Sequence, residues 1–120
     1  MIKVFKKGEI ICNEGDNNYD FYIVMDGTVG IYKGNVLIKE FSKKGTIIGE
    51  MSVILKLPRT ATIRAVTDIS LLVLNADLDQ LMQKNPDIIK KIIKNLAERL
   101  RDITDDYYHL AEKIYTDDMK

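Results

Sequence analysis

The stretch that decides the fold is Gly45-Thr46-Ile47-Ile48-Gly49-Glu50-Met51-Ser52-Val53-Ile54-Leu55-Lys56-Leu57-Pro58-Arg59-Thr60-Ala61-Thr62-Ile63-Arg64-Ala65. An apolar pair, Ile47-Ile48, runs into Gly49-Glu50. One or two turns of helix-compatible sequence follow, then a proline, an arginine and the alternating run from Thr60 to Val66. Such a piece puts several N–H groups without intrahelical acceptors at the start of a short helix, where the peptide dipoles leave partial positive charge. That arrangement cradles an anion. Gly49 removes the side chain where a ligand would touch backbone, and Arg59 brings a planar fork of donors to the same anion. Glu50 is unfavourable beside an anion unless it accepts from a neutral group of the ligand, such as a sugar hydroxyl.

Working outward, residues 2 to 75 carry short runs of Ile, Val, Tyr and Phe separated by glycine or polar turns every eight to twelve residues or so, the rhythm of sandwiches and rolls. Ile10-Ile11-Cys12 is one run and Val36 to Phe41 another. Phe21 to Met25 and Thr28 to Tyr32 flank Asp26-Gly27, a tight-hairpin signal. Ala61 to Val66 alternates at period two, and Ile69 to Leu74 is almost continuously apolar. About eight strands result, enough for a closed or nearly closed antiparallel roll. Gly8, Gly15, Gly27, Gly34 and Gly45 read as turn residues. Gly30, inside a strand pattern, marks a bulge or a close approach to backbone.

From Asn75 the period changes. Asn75 or Asp77 caps a helix carrying Leu78, Leu81 and Met82, which stops near Asn85-Pro86. Pro86 suits the first turn of a second helix. In that helix Ile89, Ile93, Leu96, Leu100, Ile103, Tyr107, Leu110 and Ile114 follow one another in steps of four and three, a coiled-coil seam. Ile88, Ile92 and Ala97 widen the stripe at its start, where the helix is expected to lie on the roll. Beyond Leu100 the seam narrows and needs a partner helix, so a symmetric dimer along residues 87–115 is expected.

With Gly49-Glu50 and Pro58-Arg59-Thr60-Ala61-Thr62 in place, the sequence resembles the cyclic nucleotide-binding domain family, whose phosphate-binding cassette runs approximately F-G-E, a short apolar helix, then P-R-[AST]-A-[TS]. Gly8-Glu9-Ile10, Glu14-Gly15-Asp16, Asp20-Phe21-Tyr22-Ile23-Val24, Gly27-Thr28-Val29 and Gly45 follow the family's order, so the likeness covers roughly residues 3 to 110. The resemblance implies a mainly β domain. It is an eight-stranded antiparallel roll of the jelly-roll or double-stranded β-helix kind, with a short cassette helix and C-terminal helices. One domain, residues 1–120, is expected: a roll over 1–75 with its cassette at 45–62, and helices over 76–118.

It further implies a ligand, cAMP or cGMP, and no cofactor. Arg59 would meet the exocyclic phosphate oxygens and Glu50 the ribose 2′-hydroxyl. Gly49, Met51 and Ser52 would offer backbone N–H groups. Thr60 permits a contact to phosphate or to a syn guanine, and Ala61 is small because ligand lies against it. Ile31 and Ile38, facing inward on adjacent runs, are candidates for the base pocket, as is Thr104 on the long helix. Two departures stand out. Ile103-Thr104 occupies the place of the Thr-Ser pair of bacterial transcription-factor members, and Ile48 replaces the family's phenylalanine.

Composition narrows the alternatives. The 120 residues allow one core. Eighteen basic and eighteen acidic side chains cancel, so nothing in the charge asks for nucleic acid. No apolar run approaches the roughly 20 residues of a membrane span, and the N-terminus lacks a signal-peptide core. Cys12, the only cysteine, forms no internal disulfide and fits a cytoplasmic protein, as a small strand residue. His109, the only histidine, lies on the helix, so the two or three converging histidines of a metal enzyme on a similar roll cannot be assembled. A non-enzymatic sensor is expected, signalling through the helices after the roll, with no DNA-reading module and no metal. The alternatives are a cassette-bearing dimerisation module without nucleotide, or a sensor of another metabolite.

Overall fold

The computed structural model describes residues 1–118, with eight strands and three helices. The strands are β1 (Ile2–Phe5), β2 (Ile10–Cys12), β3 (Phe21–Asp26), β4 (Val29–Lys33), β5 (Val36–Phe41), β6 (Ile47–Ile48), β7 (Thr62–Ala65) and β8 (Ile69–Leu74). The helices are α1 (Glu50–Leu55), α2 (Leu78–Lys84) and α3 (Pro86–Asp118). Two compact units emerge, Met1–Pro86 and a second beginning at Asp87, so α2 groups with the roll.

In the first unit all strand pairings are antiparallel, in two four-stranded sheets ordered β1-β8-β3-β6 and β2-β7-β4-β5. Strand side chains alternate between faces, and one set from each sheet meets in a single core. Tyr22, Val24, Ile48, Ile69 and Leu71 come from the first sheet; Cys12, Val29, Ile63 and Ala65 come from the second. Fully burying a residue such as Leu71 stabilises the fold by about 1.5–3 kcal/mol. Phe21 and Ile23 alternate with Tyr22 and Val24 yet are buried too. Both faces of β3 are therefore covered, which is why its sequence is a continuous apolar run rather than an alternating one.

The Asp26-Gly27 signal has a different meaning from the one its local chemistry suggests. β3 and β4 lie in different sheets, so the pair forms a corner between sheets and not a hairpin. Gly27, at φ 87°, sits so close to the neighbouring corner that a Cβ would lie 2.2 Å from the Asp68 carbonyl oxygen. Thr28 N–H donates to Thr67 Oγ1 at 2.9 Å, and Val66 N–H donates to the Thr28 carbonyl at 2.9 Å. A third corner joins them. Lys7 N–H donates to Asp68 Oδ1 at 2.8 Å, while Gly8 N–H reaches the Ala65 carbonyl and Ala65 N–H the Glu9 carbonyl. Three chain crossings thus satisfy one another's polar groups. The true two-residue hairpin is Gly34-Asn35, because Lys33 pairs with Val36.

Inside β4, Gly30 is buried, and a Cβ there would meet Tyr32, Val66 and Leu37 side-chain atoms at 2.8–3.1 Å. The close approach read from the sequence is present. The register also slips between Ile31 and Tyr32.

Asp77, not Asn75, caps α2: Gln80 N–H donates to Asp77 Oδ1 at 2.8 Å and Asp77 N–H to Gln80 Oε1 at 3.1 Å, a reciprocal capping box. Asn75 instead donates to Asp20 Oδ1 at 2.8 Å. In the second unit α3 runs for 33 residues, about 50 Å, and starts at Pro86, whose missing N–H costs nothing in a first turn. No helix among the described residues is long and apolar enough to cross a membrane.

Candidate functional site

β6 delivers the chain to the cassette through two fully buried isoleucines, Ile47 and Ile48. Gly49 then turns the backbone into the left-handed region, φ 80° and ψ 6°, to start α1. After six residues α1 stops at Lys56, itself left-handed at φ 55°, and Leu57-Pro58 leads back to Arg59. The corner closes on Gly49. A Cβ there would lie 2.7 Å from Arg59 Nη1, so any residue but glycine would be both strained and crowded.

The polarity of this corner is unusual. Glu50 and Ser52 are each 3% exposed and Arg59 4%, and charged residues buried to this degree ordinarily carry partners. Arg59 is held at both ends. Its backbone N–H donates to the Asp16 carbonyl at 2.8 Å and its carbonyl accepts from Gly15 N–H at 2.8 Å. Its Nη1 donates to the Gly49 carbonyl at 2.8 Å; its Nη2 donates to the Asp20 carbonyl and, at 3.3 Å, to Asn18 Oδ1. The guanidinium lies over the Tyr22 ring, 5.7 Å from its centroid. All three hydrogen-bond acceptors are neutral. They supply dipoles and no counter-charge, and Nε is buried without a partner.

Burial pushes the Tyr22 hydroxyl and the Cys12 thiol up from their ordinary values, with the nearby Arg59 charge opposing the rise in both. Cys12 is buried in the core, a packed thiol and not a poised nucleophile. On the exposed rim Lys33 Nζ bridges Glu14 Oε1 at 2.8 Å and the Thr60 carbonyl at 2.7 Å. That bond to Lys33 holds the Glu14 carboxyl below the usual range.

Of the residues named from sequence, Gly49, Glu50, Ser52 and Arg59 come together in this corner. Met51 and Thr60 are exposed beside it and Ala61 is half-buried. Ile31 packs against the core cluster. Ile38 does not share its inward orientation and is 60% exposed. The reason is register: β5 is an edge strand paired on one side only, and Lys39, not Ile38, stands opposite Ile31. Thr104 lies in the second unit, exposed, its hydroxyl donating to the Leu100 carbonyl at 2.7 Å. His109 is on the same helix, edge-on to Tyr108 at 5.6 Å. Among the described residues no group of three or more His, Cys, Asp or Glu is arranged to hold a metal ion.

Sequence reading missed the residues that hold Arg59: Asn18, Asp20 and Tyr22. The available signal was Asn18-Tyr19-Asp20 just before a strand, a pattern in which the asparagine oxygen accepts from the backbone two residues on. Asp20 N–H does donate to Asn18 Oδ1, at 2.8 Å.

Comparison with known proteins agrees with this geometry. The profile described as "Cyclic nucleotide-binding domain" matches residues 2–85. Lysophospholipase NTE1 of Chaetomium globosum is 33% identical over 104 residues, covering 82% of this chain and 7% of that protein. The chain therefore spans under a tenth of the length of the curated relatives it first matches. The Catabolite Activator Protein of Thermus thermophilus superposes with a TM-score of 0.75 at 26% identity, over 92% of this chain and 55% of that one. PKAR CBD2 bound to Sp-2Cl-cAMPS gives a TM-score of 0.65 at 30% identity, over 87% and 71%. Sheet order, cassette and profile converge, and the chain belongs to the cyclic nucleotide-binding domain family.

Proposed function

We propose that this domain is a non-catalytic sensor of cAMP or cGMP, with the cassette corner as its ligand site. The observation that carries the reading is Arg59: buried, held by neutral oxygens alone, with Nε lacking a partner. Burying a charge without a counter-charge is costly, and a cyclic phosphate would supply that charge. The first-turn N–H groups of Gly49, Met51 and Ser52 would share the phosphate, and the buried Glu50 would accept from the ribose 2′-hydroxyl. The exposed Thr60 leaves both bases open. The similar PKAR CBD2 structure is bound to Sp-2Cl-cAMPS, which supports a cyclic nucleotide over another metabolite.

The output is a repacking of the helices after the roll, with the backbone break at Asn85, φ −139° and ψ 63°, as the hinge. The exposed seam of α3 pairs with a second copy, in a cytoplasmic homodimer. Ligand shifts this equilibrium only by its difference in affinity for the two arrangements.

Calorimetric titration with cAMP, cGMP and a 2′-deoxy analogue tests the site. Arg59→Ala is expected to lose about tens to a thousandfold in affinity. Glu50→Ala is expected to erase the preference for the ribo over the 2′-deoxy ligand. Parent-like binding by both folded variants would overturn the assignment.

A further inference from the structure

Arg59 serves a phosphate best when the groups that hold it in place leave its charge uncancelled. Asn18 is the one side chain among its hydrogen-bond acceptors, and its amide orientation follows from chemistry. The Asp20 backbone N–H, 2.8 Å away, can only donate, so the amide atom facing it is Oδ1. The same oxygen receives Arg59 Nη2 at 3.3 Å. Nδ2 is then left to donate to Tyr22 Oη at 3.3 Å, the tyrosine over whose ring the guanidinium lies. The reverse orientation would set an NH2 group against two other donors.

We infer that Asn18 is a positioning residue for Arg59: its amide oxygen fixes the guanidinium with a neutral acceptor, leaving the positive charge to the phosphate of the ligand. This rests on the reading of Arg59 as the phosphate ligand. Asparagine suits the place for a specific reason. Aspartate has the same shape and could accept both bonds, yet its charge would neutralise the guanidinium and repel phosphate. Serine retains the local bond to Asp20 N–H but is too short to reach Arg59 as well.

The test is titration of the parent, Asn18→Ala, Asn18→Asp and Asn18→Ser with cAMP and cGMP, with thermal unfolding of each nucleotide-free protein alongside. Asn18→Ala is expected to lose about three- to tenfold in affinity. Asn18→Asp should lose more than Asn18→Ala, about tenfold or beyond, while its melting temperature is no lower than that of Asn18→Ala. Asn18→Ser should bind as weakly as Asn18→Ala. A role confined to the local turn predicts another order, with the isosteric Asp and the turn-forming Ser both milder than Ala. If Asn18→Asp binds better than Asn18→Ala, or Asn18→Ser binds like the parent, the positioning role is overturned and the phosphate site stands. Should Asn18→Asp fail to fold, Asn18→Ser decides alone. A parent that binds neither nucleotide overturns the phosphate reading, and this one with it.

Discussion

At the cassette corner, charged and polar side chains are buried, Glu50 and Ser52 to 3% and Arg59 to 4% exposure; along α3 it is apolar ones that face solvent, Leu100 at 66% and Tyr107 at 73%. Each region breaks the usual partition of side chains, in opposite directions. Burying a charge is costly because water solvates it better than protein dipoles do. A row of apolar side chains in water forgoes the stabilisation that burial brings. Either arrangement invites a partner, and the proposed ones are a phosphate at the corner and a second apolar helix along α3.

The comparison can be broken most severely on α3. Leu100→Glu with Leu110→Glu removes two seam leucines, each contributing about 1.5–3 kcal/mol when fully buried. The expected result is conversion of a dimer to a monomer in sedimentation velocity. The roll's own urea midpoint should move little, because exposed substitutions usually stay within about 0.5 kcal/mol. A parent that is already monomeric at high concentration would show that the seam is not an assembly surface.

The corner should respond in the opposite sense. Arg59→Met replaces a buried charge by an apolar chain of similar length, and it leaves the Gly49 and Asp20 carbonyls without this donor. Orphaning a buried acceptor costs about 1–3 kcal/mol, which urea denaturation of the nucleotide-free protein would register. If Arg59→Met instead proved more stable than the parent, the guanidinium would be held for its ligand alone, at a net structural cost.

The smallest effect comes from the thiol and phenol beneath the corner. Burial raises Cys12 and Tyr22 above their ordinary values of 9.0 and 10.0, so folding favours their neutral forms. The stability they contribute is complete below those values and is lost as pH rises through the raised folded ones. Unfolding free energy should therefore decline from about pH 9 upward. Cys12→Ala should flatten the first part of that decline.

Much of the roll was legible because strand alternation and turn residues are local. Val36–Phe41 and Ile69–Leu74 have the ends that sequence assigned, and Pro86 opens the long helix as expected. Asp26-Gly27 was misread because turn chemistry states that the chain bends, not which strand it will pair with afterwards. Ile38 was misplaced for a related cause. A bulge and an edge position, neither visible in an apolar run, decide which face of β5 is covered. Glu50 and Arg59 could be named from their motif. The local turn of Asn18 was readable, but its contact with Arg59 was not, since the two lie 41 residues apart in the chain.

The order of amino acids alone settled the periodicities, the glycines at the turns, the helix caps within a residue or two and the presence of an acid and an arginine in one cassette. These depend on neighbours a few bonds apart. Which strands share a sheet, which isoleucine is buried and which side chains grip the arginine were decided only when distant segments met. Those outcomes turn on the space and hydrogen-bond partners that one segment leaves for another, and these exist only once the chain has folded.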